Sequence, residues 1–362
     1  RFFETNRRVA EAWNWSREVD RADKNLAICH MQEGDYDQAI SAFEQVRSRG
    51  TGTHGMPQPQ LLLNLGMALQ RKNEYRAALE RYQEALRAAR QVGDERVYGV
   101  TAYNLGTLYQ DLGAWTRLEA ISTHLESQQD RDDRHDYLGS LPKGLRAKLH
   151  LDRGEFAEML DVTTEWVDSN ESGAAEGPTY RASVSTPMAH VQLGQIDAAR
   201  RALEDLEAEE GRSDSEVVRG WIEVTRALLA EHEERWSDAV SAGKRAAEAM
   251  EEAGFFRYGL IGTLVRVRAL QALDRRAEAE SVASRAFSEL QRRAEQVPES
   301  FRSDYYRVYY HWQLLEAYRS LTGDVPSEVD AWISVDESAD EPAKRPVEGE
   351  LTEASSDAYR AW

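Results

Sequence analysis

The stretch that decides the fold is residues 64–85, which read NLGMALQRKNEYRAALERYQEA. Within it, the small apolar residue Ala78 stands seven residues before Ala85 and three residues after Tyr75. Residues three, four and seven apart share one face of an α-helix, so this half of the stretch predicts a helix with an apolar face. Asn73, a turn former, stands two residues before Tyr75. The stretch therefore predicts two helices joined by a short turn.

The same pattern recurs along the chain at intervals close to forty residues. The small or aliphatic residues that correspond to Ala78, here called the anchors, are Ala39, Ala78, Leu118, Met159, Ala199, Ala239 and Ala279. Successive anchors are 39, 40, 41, 40, 40 and 40 residues apart. Seven residues after each anchor stands another apolar residue, namely Val46, Ala85, Leu125, Trp166, Leu206, Ala246 or Ala286. A regular step of this length predicts one repeat array.

Each anchor is preceded by an opening residue and a turn residue. The residues three before the anchors are Tyr36, Tyr75, Trp115, Phe156, Ile196, Trp236 and Arg276, where the pattern weakens. Five residues before the first five anchors stand Gly34, Asn73, Gly113, Gly154 and Gly194. Glycine and asparagine accept the left-handed backbone conformation that ends a helix. Each repeat is therefore predicted to be an antiparallel helix pair, and seven pairs fill residues 18–297.

Three of the repeats resemble tetratricopeptide repeats. The residues that carry this resemblance are Asn64-Leu65-Gly66 with Asn73-Glu74-Tyr75, Asn104-Leu105-Gly106 with Leu112-Gly113, and Asn25-Leu26-Ala27 with Gly34-Asp35-Tyr36. The later repeats keep the second-helix register but lack the Asn-Leu-Gly signature. The usual tetratricopeptide unit has about 34 residues. The step near forty in this sequence is longer and is similar to that of the long-repeat subgroup found in bacterial regulators. HEAT and armadillo repeats share the longer step and are the structural alternative.

The resemblance implies an all-α fold, a right-handed α-solenoid of antiparallel helix pairs. The composition agrees, because 41% of the 362 residues are hydrophobic and only 23 are Gly and 9 are Pro. No uncharged run approaches the ~18–20 residues of a membrane span, so we expect no membrane association. The single cysteine, Cys29, predicts a reducing compartment, the cytoplasm. A start at Arg1 fits a chain cut from a longer protein with covalently attached domains, and processing gives the same start.

The charge of the chain argues against one class of partner. The sequence has 45 Lys and Arg against 64 Asp and Glu, a formal net charge of -19. Such a chain repels phosphate backbones and gains nothing from counterion release, so we expect no direct contact with nucleic acid. The excess acid either forms a solvated surface that aids solubility or attracts a basic partner.

Three further segments lie outside the seven pairs. Residues 1–17 are apolar enough for a helix packed on the first repeat, or for the remnant of another repeat. Residues 298–334 predict aromatic terminal cap helices, namely a long tyrosine-rich helix ending at Gly323 and another helix with Pro326 in its first turn. This segment either caps the last repeat or forms a partner site. Residues 335–362 are predicted to be an acidic, disordered tail. Inside the array, Pro187 is expected to kink the first helix of the fifth pair or to shorten it at Thr186.

The sequence contains no catalytic or metal-binding motif. It has no Gly-x-Ser-x-Gly elbow, no phosphate loop and no paired cysteines. His30, His150 and His190 each stand four residues before a hairpin glycine. Equivalent atoms of adjacent repeats lie ~8–10 Å apart, whereas zinc needs nitrogens at ~2 Å, so these histidines cannot share one ion from equivalent sites. We therefore expect no catalytic residue, no cofactor and no metal site.

The strongest candidates for binding a partner are the asparagines Asn25, Asn64 and Asn104. The leucine that follows each of them faces the core, so the asparagine is turned by about 100° towards the concave groove. A carboxamide donates and accepts hydrogen bonds, which matches the backbone of an extended peptide. The alternative is that these asparagines tie neighbouring helices together. In later repeats, Arg146, Arg226, Arg266 and Arg268 either line the same groove and receive an acidic ligand or lie on a solvated surface.

These features predict a non-catalytic scaffold or sensor module that binds a protein or an extended peptide within a larger regulatory protein. A second hypothesis is a regulatory receptor, in which a peptide or metabolite changes the superhelical pitch. A third is an enzyme with an unrecognised site, which would need a closed pocket with converging titratable groups.

Overall fold

A computed structural model of the protein describes residues 2–49, 58–129, 141–169, 184–213, 216–323, 325–327 and 329–330. The tail predicted at residues 335–362 lies outside the described residues, and so does the side chain of Trp166.

The described residues form seventeen α-helices and a short 3-10 helix, and they contain no strand. The helices are α1 Phe2–Ala12, α2 Ser16–Gln32, α3 Tyr36–Arg49, α4 Pro59–Arg71, α5 Tyr75–Val92, α6 Glu95–Asp111, α7 Trp115–Gln129, α8 Leu141–Arg153, α9 Phe156–Ser169, α10 Thr186–Gln192, α11 Ile196–Ser213, α12 Glu216–His232, α13 Trp236–Glu252, α14 Phe256–Ala272, α15 Arg276–Ala294, α16 Arg302–Arg307 and α17 Tyr309–Thr322. The 3-10 helix is Glu299–Phe301.

Helices α2 to α15 form successive pairs, each joined by a turn of a few residues. The second helices of the pairs begin at the predicted opening residues, Tyr36, Tyr75, Trp115, Phe156, Ile196, Trp236 and Arg276. Because the connecting turn is so short, the two helices of a pair run antiparallel. The predicted all-α solenoid of helix pairs is confirmed.

The hairpin turn of every pair is closed by one residue in the left-handed conformation. Its φ angle is 78° at Gly34, 63° at Asn73, 71° at Gly113, 74° at Gly154, 70° at Gly194, 57° at Glu234 and 57° at Asp274. At most of these turns the next residue donates its backbone N–H to the carbonyl five residues back, as from Glu74 to Leu69 at 2.9 Å. This bond satisfies a carbonyl at the end of the first helix. Glu234 and Asp274 show that the turn persists where the sequence provides no glycine.

The anchors form the core of the array. All seven are completely buried, with 0% of their surface exposed. Of the residues seven positions later, Val46, Ala85, Leu125, Leu206 and Ala246 are buried as well. Near the end of the array Ala286 is only half-buried, and the adjacent Phe287 takes the buried position.

Pro187 shortens the first helix of the fifth pair. Helix α10 begins at Thr186, has Pro187 in its first turn and spans only seven residues. Proline is tolerated at this place because the first N–H groups of a helix have no partner within the helix.

The helices divide into two compact units. Unit 1 contains the described residues up to Tyr109, and unit 2 contains those from Gln110 onwards. In unit 1, the buried ring of Tyr82 lies against Gly66, the glycine of an Asn-Leu-Gly signature. A Cβ atom at this position would overlap the ring. The Tyr82 hydroxyl donates to Gln70 at 2.7 Å, and Gln70 donates to Thr107 at 3.4 Å. This chain of bonds ties α5, α4 and α6 together.

Unit 2 ends in an aromatic segment that is divided into two helices. The backbone is extended at Val308, with φ -54° and ψ 131°, and this separates α16 from α17. The prediction of one long helix is therefore wrong at this residue, although α17 does end at Gly323. Val308 is buried against Gly113, so contact with an early hairpin of unit 2 accompanies the break.

Candidate functional site

The first helices of unit 1 carry an accessible row of side chains that we call the inner stripe. It comprises the residues 14, 11 and 7 positions before each anchor, which share one helix face. In unit 1 these are Asn25, Ile28, Gln32, Asn64, Met67, Arg71, Asn104 and Thr107, and every one of them is half-buried or exposed. Half-buried side chains in a row can contact a ligand without first rearranging. The three predicted asparagines thus occupy equivalent places in one unit.

The asparagines differ in how much of their hydrogen-bonding capacity is used. Asn25 makes no side-chain hydrogen bond with any described residue. Asn64 accepts a bond from Gln60 at 3.0 Å through its Oδ1, while Asn104 donates from Nδ2 to the carbonyl of Val100 at 2.8 Å. Asn25 and Asn64 therefore retain both amide N–H groups for a ligand, whereas Asn104 retains one N–H and its oxygen.

Apolar side chains stand beside these amides. Ile28 is 37% exposed, and Met67 is half-buried on the next first helix. Thr107 is fixed, because its hydroxyl donates to the Asn104 carbonyl at 2.8 Å and accepts from Gln70. The stripe of unit 1 therefore combines amide groups with adaptable apolar surface.

The asparagine positions of the stripe are closed in unit 2. The residues 14 before the anchors are Leu145, Ser185, Thr225 and Val265, with exposures of 0%, 1%, 0% and 0%. The remaining stripe positions are mixed. Met188 and Leu228, each 11 before an anchor, are 0% and 4% exposed, whereas Lys148 is half-buried and Gln192, His232, Arg268 and Ala272 are exposed. The stripe of unit 2 is thus closed at the positions that carry asparagine in unit 1.

The predicted arginines lie in unit 2 and are mostly paired with glutamates. Arg146 is 3.2 Å from Glu126, Arg226 is 2.8 Å from Glu207 and 2.6 Å from Glu223, and Arg268 is 2.8 Å from Glu231. Arg266 is half-buried, and its Nε makes no hydrogen bond with described residues. Arg146, Arg226 and Arg266 stand 13 before their anchors, where unit 1 has the leucines Leu26, Leu65 and Leu105. The buried face of the first helix is therefore displaced by one residue between the units.

Unit 2 also contains a buried polar cluster that the sequence did not predict. The guanidinium of Arg257 lies 3.2 Å from Asp111 and 3.3 Å from Asp152, and it donates to the Gln110 carbonyl at 3.0 Å. These three charged residues, Asp111, Asp152 and Arg257, are here called the clasp. No local signal marks it, because polar residues such as Gln32 and Arg71 occupy the Asp152 position in other repeats.

Burial changes the acid–base properties of this cluster. Asp152 is fully buried, which raises its pKa to about 6 although Arg257 opposes the shift. The nearby side-chain amide of Gln110 also favours the charged carboxylate, but its hydrogen bonds go to the Tyr258 hydroxyl at 3.0 Å and the Lys148 carbonyl at 3.4 Å. His311 is buried too, and burial lowers its pKa to about 3. With exposures of 0% for Asp152 and 2% for His311, neither group is open to a substrate.

The hairpin histidines make local contacts. His150 Nδ1 lies 2.7 Å from Glu155, and His190 Nδ1 lies 2.7 Å from Gln195, in each case across its own hairpin. Over the described parts of the chain, no group of three or more His, Cys, Asp and Glu residues is arranged to hold a metal ion. Nor does any described helix have both the length and the apolar character needed to cross a bilayer.

Comparison with known proteins agrees with the geometry of the pairs. A model of the tetratricopeptide repeat family matches residues 18–91 and 57–117. Residues 18–117 are thus similar to tetratricopeptide repeats. No curated protein matches the sequence.

Two solved structures are similar to this chain. A tetratricopeptide repeat protein from Parabacteroides merdae ATCC 43184 has 16% identity and a TM-score of 0.45, with 84% of this chain and 99% of that chain covered. A Rap protein in complex with competence and sporulation factor has 12% identity and a TM-score of 0.48, with 88% and 99% covered.

The tetratricopeptide repeats suggest a protein-binding scaffold, because stacked helix pairs present an extended surface formed by their first helices. Proteins of this family are typically non-catalytic scaffolds. The open stripe of unit 1 is the part of the described structure that best fits such a role.

Proposed function

We propose that unit 1 binds an extended peptide segment of a partner protein along its inner stripe, with no covalent step. One observation carries this proposal. The asparagines are accessible on successive first helices of unit 1, while the residues at the same register positions of unit 2 are buried. Accessible amides in a repeated arrangement match the repeated N–H and C=O groups of an extended peptide.

The strength of the interaction depends on more than the amides. Three asparagines that each contribute ~0.5–1.5 kcal/mol give about 2–4 kcal/mol in total. Micromolar affinity requires about 8 kcal/mol. Burial of ligand side chains against Ile28 and Met67 supplies part of the difference, at ~25 cal/mol for each Å² of apolar surface. We therefore propose a ligand with apolar side chains facing the stripe.

The repeat geometry limits the length of the ligand. Packed helices lie ~8–10 Å apart, so three equivalent asparagines on successive first helices span about 16–20 Å. An extended chain advances ~3.3 Å per residue. The stripe of unit 1 thus suits a segment of about five or six residues, and a shorter peptide would lose contact with one of the three helices.

The predicted arginines of unit 2 differ in how readily an acidic ligand could pair with them. For Arg146, Arg226 and Arg268, an acidic ligand must displace a glutamate that already pairs with the guanidinium. Arg266 makes no ion pair with an acidic residue among the described residues, although its Nε is buried. We therefore propose Arg266 as the first position to test for recognition of an acidic group in unit 2.

We also propose that the chain acts in the cytoplasm as the scaffold or sensor module of a larger regulatory protein. The long repeat step and the single cysteine support this proposal. The excess of acidic residues favours a protein or peptide partner over nucleic acid.

A ligand-responsive receptor is the second candidate function. It is favoured by the observation that the buried face of the first helix is displaced by one residue between the two units. A ligand that strengthens the helix contacts of one unit more than those of the other would change the pitch. Small-angle scattering with and without ligand distinguishes the receptor, whose dimensions change, from a rigid scaffold, whose dimensions do not.

The peptide proposal is tested with heptapeptides selected from a random display library on the full chain. We expect Asn64→Ala to weaken the selected peptide about fivefold, the effect of losing ~1 kcal/mol, and Asn25→Ala to act similarly. Asn104→Ala should have a smaller effect because one of its two amide N–H groups is already used. Gln45→Ala, an exposed change on the second helix α3, is the control. Unchanged affinity in all three variants, with helicity intact by circular dichroism, would contradict the proposal.

A further inference from the structure

The aromatic segment 299–322, here called the terminal segment, contacts residues far away in the sequence of unit 2. A Cβ atom on Gly113 would overlap the carbonyl of Asp304, and Val308 packs against the same hairpin. At the next hairpin the Tyr309 ring covers Gly154 and meets Phe156 edge-on, with 6.0 Å between ring centroids. Both contacts are made at turns between the helices of a pair. The terminal segment thus closes onto the early hairpins of its own unit.

The terminal segment also covers part of the inner stripe of unit 2. The hydroxyl of Tyr310 lies 3.8 Å from the sulfur of Met188, which is completely buried. Met188 stands 11 before its anchor, as do Ile28 and Met67, which are accessible in unit 1. Tyr310, Leu314 and Leu315 of the segment are themselves at most 2% exposed. The protein's own aromatic helix therefore occupies a register position at which unit 1 is open.

The contact of the terminal segment leaves a buried polar atom without a hydrogen-bond partner among the described residues. Within the described part of the chain, His311 Nε2 is buried and has no hydrogen-bond partner, although Nδ1 is 2.7 Å from the Tyr305 carbonyl. A buried polar atom without a partner disfavours a state relative to one in which water reaches it. Opening of the segment would let water reach His311.

We propose that the terminal segment is a releasable internal occupant of the inner stripe of unit 2. Its release exposes Met188 to a partner. The surface so exposed is apolar and includes a thioether, and it accepts tyrosine rings in the closed form. The partner that fits is an amphipathic helix with aromatic residues on one face, of the kind that α17 itself provides. This surface is separate from the peptide site proposed in unit 1 and does not depend on it.

Release is tested by hydrogen exchange on the full chain with two matched glycine variants. Gly113→Ala places a methyl group against the terminal segment, whereas Gly194→Ala in the same unit meets no atom within 4 Å. Their φ angles are 71° and 70°, so backbone strain is the same in both. We expect amides of residues 302–322 to exchange at least about tenfold faster in Gly113→Ala than in Gly194→Ala, while α12 and α13 remain protected.

A second pair of variants removes ionic contacts. Arg257→Gln breaks the clasp, and Arg226→Gln breaks exposed pairs with Glu207 and Glu223 that do not involve the terminal segment. Arg257 lies close enough to His311 of the terminal segment to help lower the pKa of that histidine. We therefore expect only Arg257→Gln to accelerate exchange of residues 302–322. If Arg257→Gln does not fold, the glycine pair decides the question.

The exposed surface is probed with a fluorescent synthetic peptide of residues 299–322. It should bind Gly113→Ala at least about tenfold more tightly than it binds Gly194→Ala. The proposal is overturned if residues 302–322 exchange only together with the rest of unit 2 in every form. It is equally overturned if the segment opens in Gly113→Ala and the peptide binds neither variant.

Discussion

At the scale of single residues, the hairpins depend on a backbone conformation that most side chains disfavour. Glu234 and Asp274 hold it with φ 57°, although both carry a Cβ atom. A non-glycine residue in this conformation is strained by roughly 1–2 kcal/mol. The bond from Arg235 N to the Ala230 carbonyl at 2.9 Å shows that the turn still forms. Packing of the flanking helices therefore imposes the turn on these two residues.

We expect Glu234→Gly to stabilise the protein, because glycine removes the strain at this turn. The gain should be about 0.5–1 kcal/mol after allowing for the greater freedom of glycine in the unfolded chain. Urea unfolding followed by circular dichroism measures it. Gly34→Ala is the reverse control, since its Cβ would meet no atom within 4 Å and only the backbone is strained. A loss of stability in Glu234→Gly would show that the carboxylate makes a contact worth more than the strain.

Two buried groups should make opposite contributions to the pH dependence of unit 2. Asp152 has a pKa of about 6 in the folded state against 3.8 normally, so it adds stability as the pH falls through 6 towards 4. His311 has a pKa of about 3 against 6.5 normally. The unfolded chain therefore protonates this histidine first, and stability is lost as the pH falls below 6.5. Between about pH 6 and pH 4 the two effects oppose each other.

Single substitutions separate these contributions. Asp152→Asn leaves only the histidine, so its melting temperature should fall more steeply than that of the parent between about pH 7 and pH 4.5. His311→Gln leaves only the carboxyl group, and its melting temperature should fall less steeply. Arg257, Asp111 and Lys148 face Asp152, and Arg257 and Arg293 face His311. If both variants follow the slope of the parent, the two groups do not titrate as their burial implies.

At the scale of helices, the positions of the repeats could be predicted from the sequence. The exposure of the inner stripe could be predicted only in part. Ala78, Tyr75 and Asn73 interact within one helix pair, so their spacing in the sequence carries the structure. The exposed face of the first helix was harder to place. Thr225 is fully buried, whereas Asn64 at the same distance from its anchor is accessible. Because the buried face is displaced by one residue between the units, distance from the anchor does not predict which side chain is exposed.

The clasp could not be predicted because its residues are far apart in the sequence. Arg257 and Asp111 are 146 positions apart in the sequence, and nothing in either neighbourhood indicates the other. The asparagine candidates could be placed because the Asn-Leu-Gly signature orients them relative to a leucine of the core. The arginines were placed on the correct helices, but the glutamates that pair with Arg226 and Arg268 come from other turns and helices.

We expect Gly262→Ala to destabilise unit 2, because α13 and α14 approach closely at this residue. A Cβ atom there would lie 2.5 Å from the Gly243 carbonyl and 2.7 Å from the Ala246 Cβ. Overpacking against backbone typically costs about 1–3 kcal/mol, which exceeds the gain of up to ~1 kcal/mol in helix propensity. A fall in the urea midpoint of unfolding would show this.

Gly220→Ala in α12 is the matched control. Its Cβ would meet only the side chain of Met250, at 2.9 Å from the sulfur. Methionine is flexible and can adopt another rotamer, so the propensity gain should dominate and stability should be unchanged or higher. Equal destabilisation by both alanines would mean that the two helix contacts are equally rigid.

At the scale of the whole molecule, the charge is distributed unevenly along the chain. Residues 1–109 contain 14 acidic and 15 basic residues, whereas residues 110–362 contain 50 acidic and 30 basic residues. The net charge of -19 therefore arises outside unit 1. An electrostatic attraction for a basic partner would be centred on the later residues. The proposed peptide site lies in the part of the chain that is almost neutral.

This distribution predicts how peptide binding responds to salt. Because the stripe of unit 1 offers amides and apolar side chains, screening of charges should change the affinity little. We expect the dissociation constant of a neutral selected peptide to change by less than about threefold between about 50 and 500 mM NaCl, measured by fluorescence anisotropy. A basic peptide of the same length is the control, since attraction to the acidic later residues would weaken strongly over that range. If the neutral peptide shows the same steep loss, charged groups bind it and the amide stripe is not its site.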